Sequence, residues 1–254
     1  MKFFFLGTSA CDFSQKLLTE CKDRFDKDAR RASCALIEGR YLIDCGLHVL
    51  DSLRIAQKDP AQITDVFITH FHSDHFQAEN VKAIASMKKT PLRLWVSKGA
   101  VVPKIENVSV QYMPKLSPCK VDESLQVVGL FANHQQSTFP QHLLFELSGK
   151  KIFYALDGAW IVNENCKYLQ NADLDMLVLD ATCGDYEGDY RVGEHNSIPM
   201  VRLLIASLKT LNVVGEKTKI YLSHLAPSLH KPHSETESLV APLKVAYDGL
   251  EIEL

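Results

Sequence analysis

The chain has 254 residues, 46% hydrophobic and 23% charged, enough apolar material for a sizeable buried core. Lys plus Arg number 28 against 31 Asp plus Glu, a formal charge of −3. That balance disfavours a protein that works by gripping long stretches of nucleic acid, and no stable nucleic-acid partner is expected. No segment reaches the roughly 18–20 apolar residues of a membrane span, and the run at residues 1–7 is too short for a secretory signal. A cytoplasmic location without a membrane partner is the expectation.

No linker, repeat or low-complexity tract interrupts the chain, so residues 1–254 read as one domain. Residues 3–6 form an apolar strand ending at Gly7-Thr8-Ser9. Residues 20–31 are densely charged and read as a solvated loop or helix. Residues 33–38 and 41–44 pair as a hairpin about Gly39-Arg40. A helix over 47–58 stops at Asp59-Pro60, and residues 65–69 form a strongly apolar strand. A helix over 78–88 and a strand over 92–97 follow. Further strands are predicted at 124–130, 143–147, 151–156 and 175–179, then a helix over 197–211, a strand over 218–223 and a helix over 235–246. This density of strands and helices predicts an α/β or α+β layered domain.

The seven cysteines (Cys11, Cys21, Cys34, Cys45, Cys119, Cys166 and Cys183) are scattered and contain no Cys-x-x-Cys pair. Neither a disulfide framework nor a zinc ribbon is expected. The histidines carry more information. Thr69-His70-Phe71-His72-Ser73-Asp74-His75 places three imidazoles and a carboxylate on one turn after an apolar strand. A polar surface loop needs no such density. A metal ion would offset the cost of bringing these groups together, and imidazole with carboxylate suits zinc, manganese or ferrous iron.

His70-x-His72-x-Asp74-His75 resembles the signature of the metallo-β-lactamase fold, a superfamily of two-metal hydrolases. The resemblance implies an αββα sandwich of two mixed β-sheets flanked by helices. It also implies later ligands at strand ends, and the sequence supplies them. His134 follows Phe131-Ala132-Asn133, Asp157 follows residues 151–156, and His224 follows residues 219–223. By this resemblance one ion is held by His70, His72 and His134, the other by Asp74, His75 and His224, and Asp157 bridges them. The implied cofactors are two divalent ions, Zn²⁺ or Mn²⁺ with Fe²⁺ also admitted. Flavodiiron relatives carry Glu where His72 stands, so hydrolysis is favoured over redox chemistry. Two such ions about 3.5–4 Å apart hold a hydroxide and bind a substrate oxyanion.

Arg191-Val-Gly-Glu-His195-Asn-Ser197, opening a helix, resembles the phosphodiesterase branch of this superfamily, whereas lactamase and glyoxalase relatives lack such an element. His195 is then the group that contacts phosphoryl oxygens and protonates the leaving alkoxide; the alternative is a polar helix start capped by Ser197 or Asn196. The catalytic residues so implied are His195, Asp74 and Asp157. Asp44, closing Tyr41-Leu42-Ile43-Asp44-Cys45-Gly46, is implied to orient a ligand histidine, and Ser197 to support the site; a plain turn residue is the alternative for Asp44. Residues 5–10, 30–37 and 223–233 resemble the phosphoribosyl cyclic phosphodiesterases of phosphonate degradation. Some of those relatives bind a structural zinc through a cysteine-rich insert. Only Cys21 and Cys11 lie in that region here, and Pro227 stands where a histidine would fall, so that zinc is expected to be absent.

The reading is therefore a two-metal phosphodiesterase of a small, phosphorylated, cyclic substrate such as 5-phosphoribosyl 1,2-cyclic phosphate. The alternatives are a transfer-RNA 3′-processing endonuclease, a hydrolase of a non-phosphate substrate such as a thioester or lactam, and a metal-dependent binding protein. A homodimer is an expectation by analogy. Asp180 and Asp185 receive no role from spacing, Arg191 is a candidate for substrate contact, and His142, His230 and His233 are expected at the surface or around the ligands.

Overall fold

The computed structural model describes residues 1–186 and 188–254. The first half runs β1 (Lys2–Gly7), α1 (Gln15–Glu20), β2 (Cys34–Ile37), β3 (Tyr41–Ile43), α2 (Val49–Ile55), β4 (Asp65–Phe67), α3 (Ala78–Ser86), β5 (Leu92–Ser97) and β6 (Val108–Met113). The second continues with β7 (Pro118–Lys120), β8 (Leu125–Phe131), β9 (Gln141–Leu147), β10 (Lys150–Ala155), α4 (Asn163–Leu169), β11 (Met176–Asp180) and α5 (Ile198–Thr210). It ends with β12 (Lys219–Ser223), α6 (His233–Val240), β13 (Lys244–Val245) and β14 (Glu251–Glu253).

The strands form two seven-stranded mixed sheets, in the orders β14-β1-β2-β3-β4-β5-β6 and β13-β12-β11-β10-β9-β8-β7. The first is parallel from β3 to β6 and the second from β10 to β13. Alternation along each strand sorts side chains into layers. Phe3, Phe5, Ile37 and Ile43 from one sheet meet Phe145, Ile152, Tyr154 and Val178 from the other in the central core. Leu36, Leu42 and Val66 face outward onto buried residues of α2 and α3, whereas Phe153, Leu177 and Leu179 face the apolar stripe of α5. Each fully buried Phe, Leu or Ile contributes about 1.5–3 kcal/mol by leaving water. The result is the αββα layering that the motif implied, and no described helix is long and apolar enough to cross a membrane.

Several boundaries differ from the sequence reading. Strand β4 ends at Phe67 rather than residue 69 because Thr69 turns its N–H to Asp44 Oδ1 at 2.8 Å. The helix expected over 235–246 spans His233–Val240. Ala241 is extended and Pro242 stops the helix, so Lys244 and Val245 pair with Tyr221 and Leu222 as a sheet edge. The charged segment 20–31 is not wholly solvated, since Arg30 and Arg31 are 5% and 3% exposed. Arg30 donates to Thr8 Oγ1 and Ala246 O, and Arg31 donates to Cys21 O beside the Asp248 carboxylate. These partners come from distant segments, which local charge density does not reveal. Of the histidines expected at the surface or around the ligands, His142 is buried beside Gly158, next to Asp157, and His233 is buried against Arg30.

Candidate metal centre

The site forms where the carboxyl ends of the parallel strands of both sheets converge. Ile43 pairs with Phe67, which sets Asp44 after β3 beside Thr69 and His70 after β4. In the second sheet Ala155 pairs with Leu179 and Asp180 with Ser223, which brings Asp157, Asp180 and His224 together. Asp44, Asp157 and His224 all take left-handed backbone (φ 62°, 54° and 57°), so the chain turns sharply and their side chains enter the site. Gly46 permits the closest approach, because a Cβ there would lie 1.7 Å from Asp74 O.

The seven residues expected as ligands lie in two triads joined by a carboxylate. His70 Nε2 is 3.0 Å from His72 Nδ1, and His134 Nε2 is 3.2 Å from the same atom. On the other side His75 Nε2 is 3.3 Å from His224 Nε2, with Asp74 Oδ2 at 3.4 and 3.9 Å from them. Asp157 faces both triads. Its Oδ1 is 4.0 Å from His70 Nε2 and from His134 Nε2, while its Oδ2 is 3.1 Å from His75 Nε2 and 3.2 Å from His224 Nε2. Donor atoms within 4.8 Å of one another define the groups His70–His72–His134, Asp74–His75–His224, His70–His75–Asp157 and Asp157–Asp180–His195–His224.

The donor chemistry fits divalent cations. Asp44 Oδ2 sits 2.7 Å from His75 Nδ1, which places the proton there and turns a lone pair on Nε2 toward the triad. His224 Nδ1 is similarly engaged by Thr182 Oγ1 at 2.7 Å and Asp180 Oδ2 at 3.3 Å. Two imidazole nitrogens thus face each other at 3.3 Å beside two carboxylates. Asp157 Oδ2 and His134 Nδ1 are buried without hydrogen-bond partners. Burial would lower the pKa of His224, yet Asp157 and Asp180 outweigh it and push it up to about 10. Burial would likewise raise the Asp74 carboxyl, and the imidazoles hold it well below the usual range. Such a cluster draws positive charge, which a divalent ion would supply.

His195 lines the same cavity as Asp74. Its Nδ1 is 3.0 Å from Asp180 Oδ2 and 3.9 Å from Asp157 Oδ1, leaving Nε2 to the cavity. Asp180, fully buried, also accepts from Asn196 N at 2.8 Å and Thr182 N at 3.1 Å. Spacing gave Asp180 no role. The available signal was that it ends an apolar strand, as do the residues before Asp157 and His224. Ser197 occupies the N-cap of α5 but makes no side-chain cap bond; its neighbour Asn196 does the tying, donating to Gly158 O at 3.0 Å. Thr69, Thr182 and Glu194, the last 3.8 Å from His134 Nδ1, are further site residues that sequence reasoning missed.

The cluster floors a cavity of about 490 Å³ whose mouth includes Cys11, Asp12, Tyr190 and Arg191. Arg191 is committed to Asp189, with Nε and Nη2 at 2.8 and 2.9 Å. A roomier cleft of about 820 Å³, edged by Asp185, Tyr186, His230 and Leu239, contains no grouped metal-binding side chains among the described residues.

Comparison with known proteins agrees with the fold. The family model described as the metallo-β-lactamase superfamily matches residues 28–77. A search of curated proteins found no relative. Among solved structures, the metallo-β-lactamase-fold protein YhfI from Bacillus subtilis is similar at 13% identity and a TM-score of 0.72, covering 100% of this chain and 99% of that one. The short form of human tRNase Z, ELAC1, is similar at 20% identity and a TM-score of 0.70, covering 100% and 99%. A diphosphatase from the PhnP family is similar at 17% identity and a TM-score of 0.70, covering 100% and 97%.

Proposed function

We propose that this chain, whose fold is that of the metallo-β-lactamase superfamily, is a dinuclear metal-dependent phosphodiesterase of small phosphodiesters, cyclic ones included. The observation that carries the reading is the Asp180–His195 pair, 3.0 Å apart, set against the His/Asp cluster. Metal binding alone does not require it, whereas an ester bond that must release an alkoxide needs a proton donor there. His70, His72 and His134 would hold one ion and Asp74, His75 and His224 the other, with one oxygen of Asp157 turned to each. Bound there, divalent ions supply an acidified water and neutralise phosphoryl charge.

The protein's own part is positioning and proton transfer. Asp180 accepts a hydrogen bond from His195 Nδ1–H, fixes the ring and favours the charged imidazolium. Burial opposes that charge, and Asp180 outweighs it, so the His195 pKa is raised. As oxygen from water bonds to phosphorus and the phosphorus–ester bond breaks, His195 Nε2 gives its proton to the departing alkoxide. The resemblance to phosphoribosyl cyclic phosphodiesterases and the likeness to a PhnP-family diphosphatase support 5-phosphoribosyl 1,2-cyclic phosphate as a first substrate to try. The likeness to tRNase Z keeps transfer RNA as the second reading. It is disfavoured because Arg191 is the one Lys or Arg among the described residues lining the cavity, and Asp189 already neutralises it.

The test is turnover of bis(p-nitrophenyl) phosphate by protein supplied with Mn²⁺ or Zn²⁺. Activity is expected, lost in Asp157→Ala and lowered about 10²-fold or more in His195→Ala. Protein that binds two ions yet is inert on every phosphodiester refutes the proposal.

A further inference from the structure

A phosphodiester also has to seat its alcohol portion, and the cavity mouth shows what that portion meets. Tyr190 stands there 89% exposed, with the Arg191 guanidinium 5.9 Å from the centre of its ring. Tyr190 belongs to a short 3₁₀ turn, Tyr190–Gly193, whose start is fixed by Asp189 accepting from Arg191 N at 2.9 Å. The same turn leads within two residues to His195. A large exposed ring at the entrance, on the segment that delivers the proton donor, has a free face on which a planar group can stack.

The charges beside it point the same way. Asp12 and Glu194 both line the mouth. Asp12 is anchored by Ser228 and lies 3.8 Å from Arg191 Nη1, and that guanidinium is already paired with Asp189. The entrance is therefore net acidic outside the metal cluster, and it repels any phosphate beyond the one under attack.

We propose that Tyr190 and Asp12 form a specificity rim selecting single-phosphate esters whose alcohol carries a planar ring, as a nucleoside does, over ring-free esters and over esters with a second phosphate. The inference deepens the phosphodiesterase reading and rests on it. It ranks a nucleoside cyclic phosphate above a phosphoribosyl one.

The experiment compares three cyclic diesters by ³¹P NMR with the metal-loaded protein: glycerol 1,2-cyclic phosphate, uridine 2′,3′-cyclic phosphate, and the latter with an added 5′-phosphate. The expected kcat/KM for the uridine ester is about tenfold or more above the glycerol ester, the size of one base–aromatic stack. Tyr190→Ala abolishes that ratio mainly through KM, Tyr190→Phe keeps it, and Asp12→Asn narrows the discrimination against the 5′-phosphorylated ester. A glycerol ester turned over as well as the uridine ester, or a ratio unchanged in Tyr190→Ala, overturns the rim while leaving phosphodiester hydrolysis intact. Saturation-transfer NMR on metal-free protein separates the two ideas. If no diester is hydrolysed but uracil protons still receive magnetisation in wild type and not in Tyr190→Ala, the rim stands and the phosphodiesterase reading falls.

Discussion

Replacing Asp44 by Asn keeps the side-chain shape and changes one donor–acceptor assignment. Asp44 is fully buried, and its oxygens take the Thr69 N–H at 2.8 Å, the Thr69 hydroxyl at 2.9 Å and His75 Nδ1–H at 2.7 Å. An amide offers one oxygen and one NH₂, so it serves Thr69 or His75 but not both. With its oxygen kept on Thr69, the NH₂ meets His75 Nδ1, and the imidazole moves its proton to Nε2. That nitrogen faces His224 and Asp157, and once protonated it has no lone pair for a cation. The opposite amide orientation preserves His75 but sets NH₂ against the Thr69 N–H, an unpaired buried donor costing about 1–3 kcal/mol. The expected result is a 10–100-fold loss of affinity for one ion, about 1.4–2.8 kcal/mol, with the His70–His72–His134 site retained. Competition with a chromophoric chelator reads the two affinities, and imidazole ¹⁵N shifts report the His75 tautomer. An Asp44→Asn protein that binds both ions as wild type does, with Nδ1 still protonated, refutes the argument.

Three further outcomes are expected. Gly46→Ala forces a Cβ against backbone, 1.7 Å from Asp74 O and 2.8 Å from His75 N, and should cost roughly 3 kcal/mol or more in urea unfolding; an unchanged midpoint would show that the two chains do not approach so closely. Burial lowers the Lys115 amine to about 7. The native state then binds fewer protons than the unfolded chain between about pH 7 and 10.5, so stability rises with pH across that window by a few kcal/mol. Lys115→Met should flatten that rise, and identical slopes in both proteins would exclude the buried amine as its source. Finally, Zn²⁺ or Mn²⁺ at 100 times its Kd should stabilise the fold by about 2.7 kcal/mol per site, and a chelator should reverse the gain; a melting temperature indifferent to both ions would remove the metal centre.

Much of the architecture was legible in the residues. Strand β5 falls at Leu92–Ser97 as expected, and α5 at Ile198–Thr210 lies within its expected span, because continuous apolar runs and a 3.6-residue stripe leave few other conformations. The overrun of α6 came from reading helical spacing across Pro242. The burial of Arg30 and Arg31 was invisible because their partners, Thr8, Ala246 and Asp248, lie in other parts of the chain.

The division is clearest at the site. His70, His72, Asp74 and His75 lie on one turn, so their grouping follows from local chain geometry and their chemistry from their side chains. By itself the sequence determined that cluster and the apolar strands that deliver it, while His134, Asp157 and His224 were singled out through the resemblance to metallo-β-lactamase-fold proteins. Only the tertiary structure decided that Asp157 turns one oxygen to each triad, that Asp180 rather than Ser197 holds His195, and that Asp189 takes up the charge of Arg191. Those facts depend on the register of β10, β11 and β12 and on left-handed turns at their ends. A one-residue shift in either would point the same side chains elsewhere, and these strands are parallel and joined by long crossovers, so no hairpin turn sets their register locally.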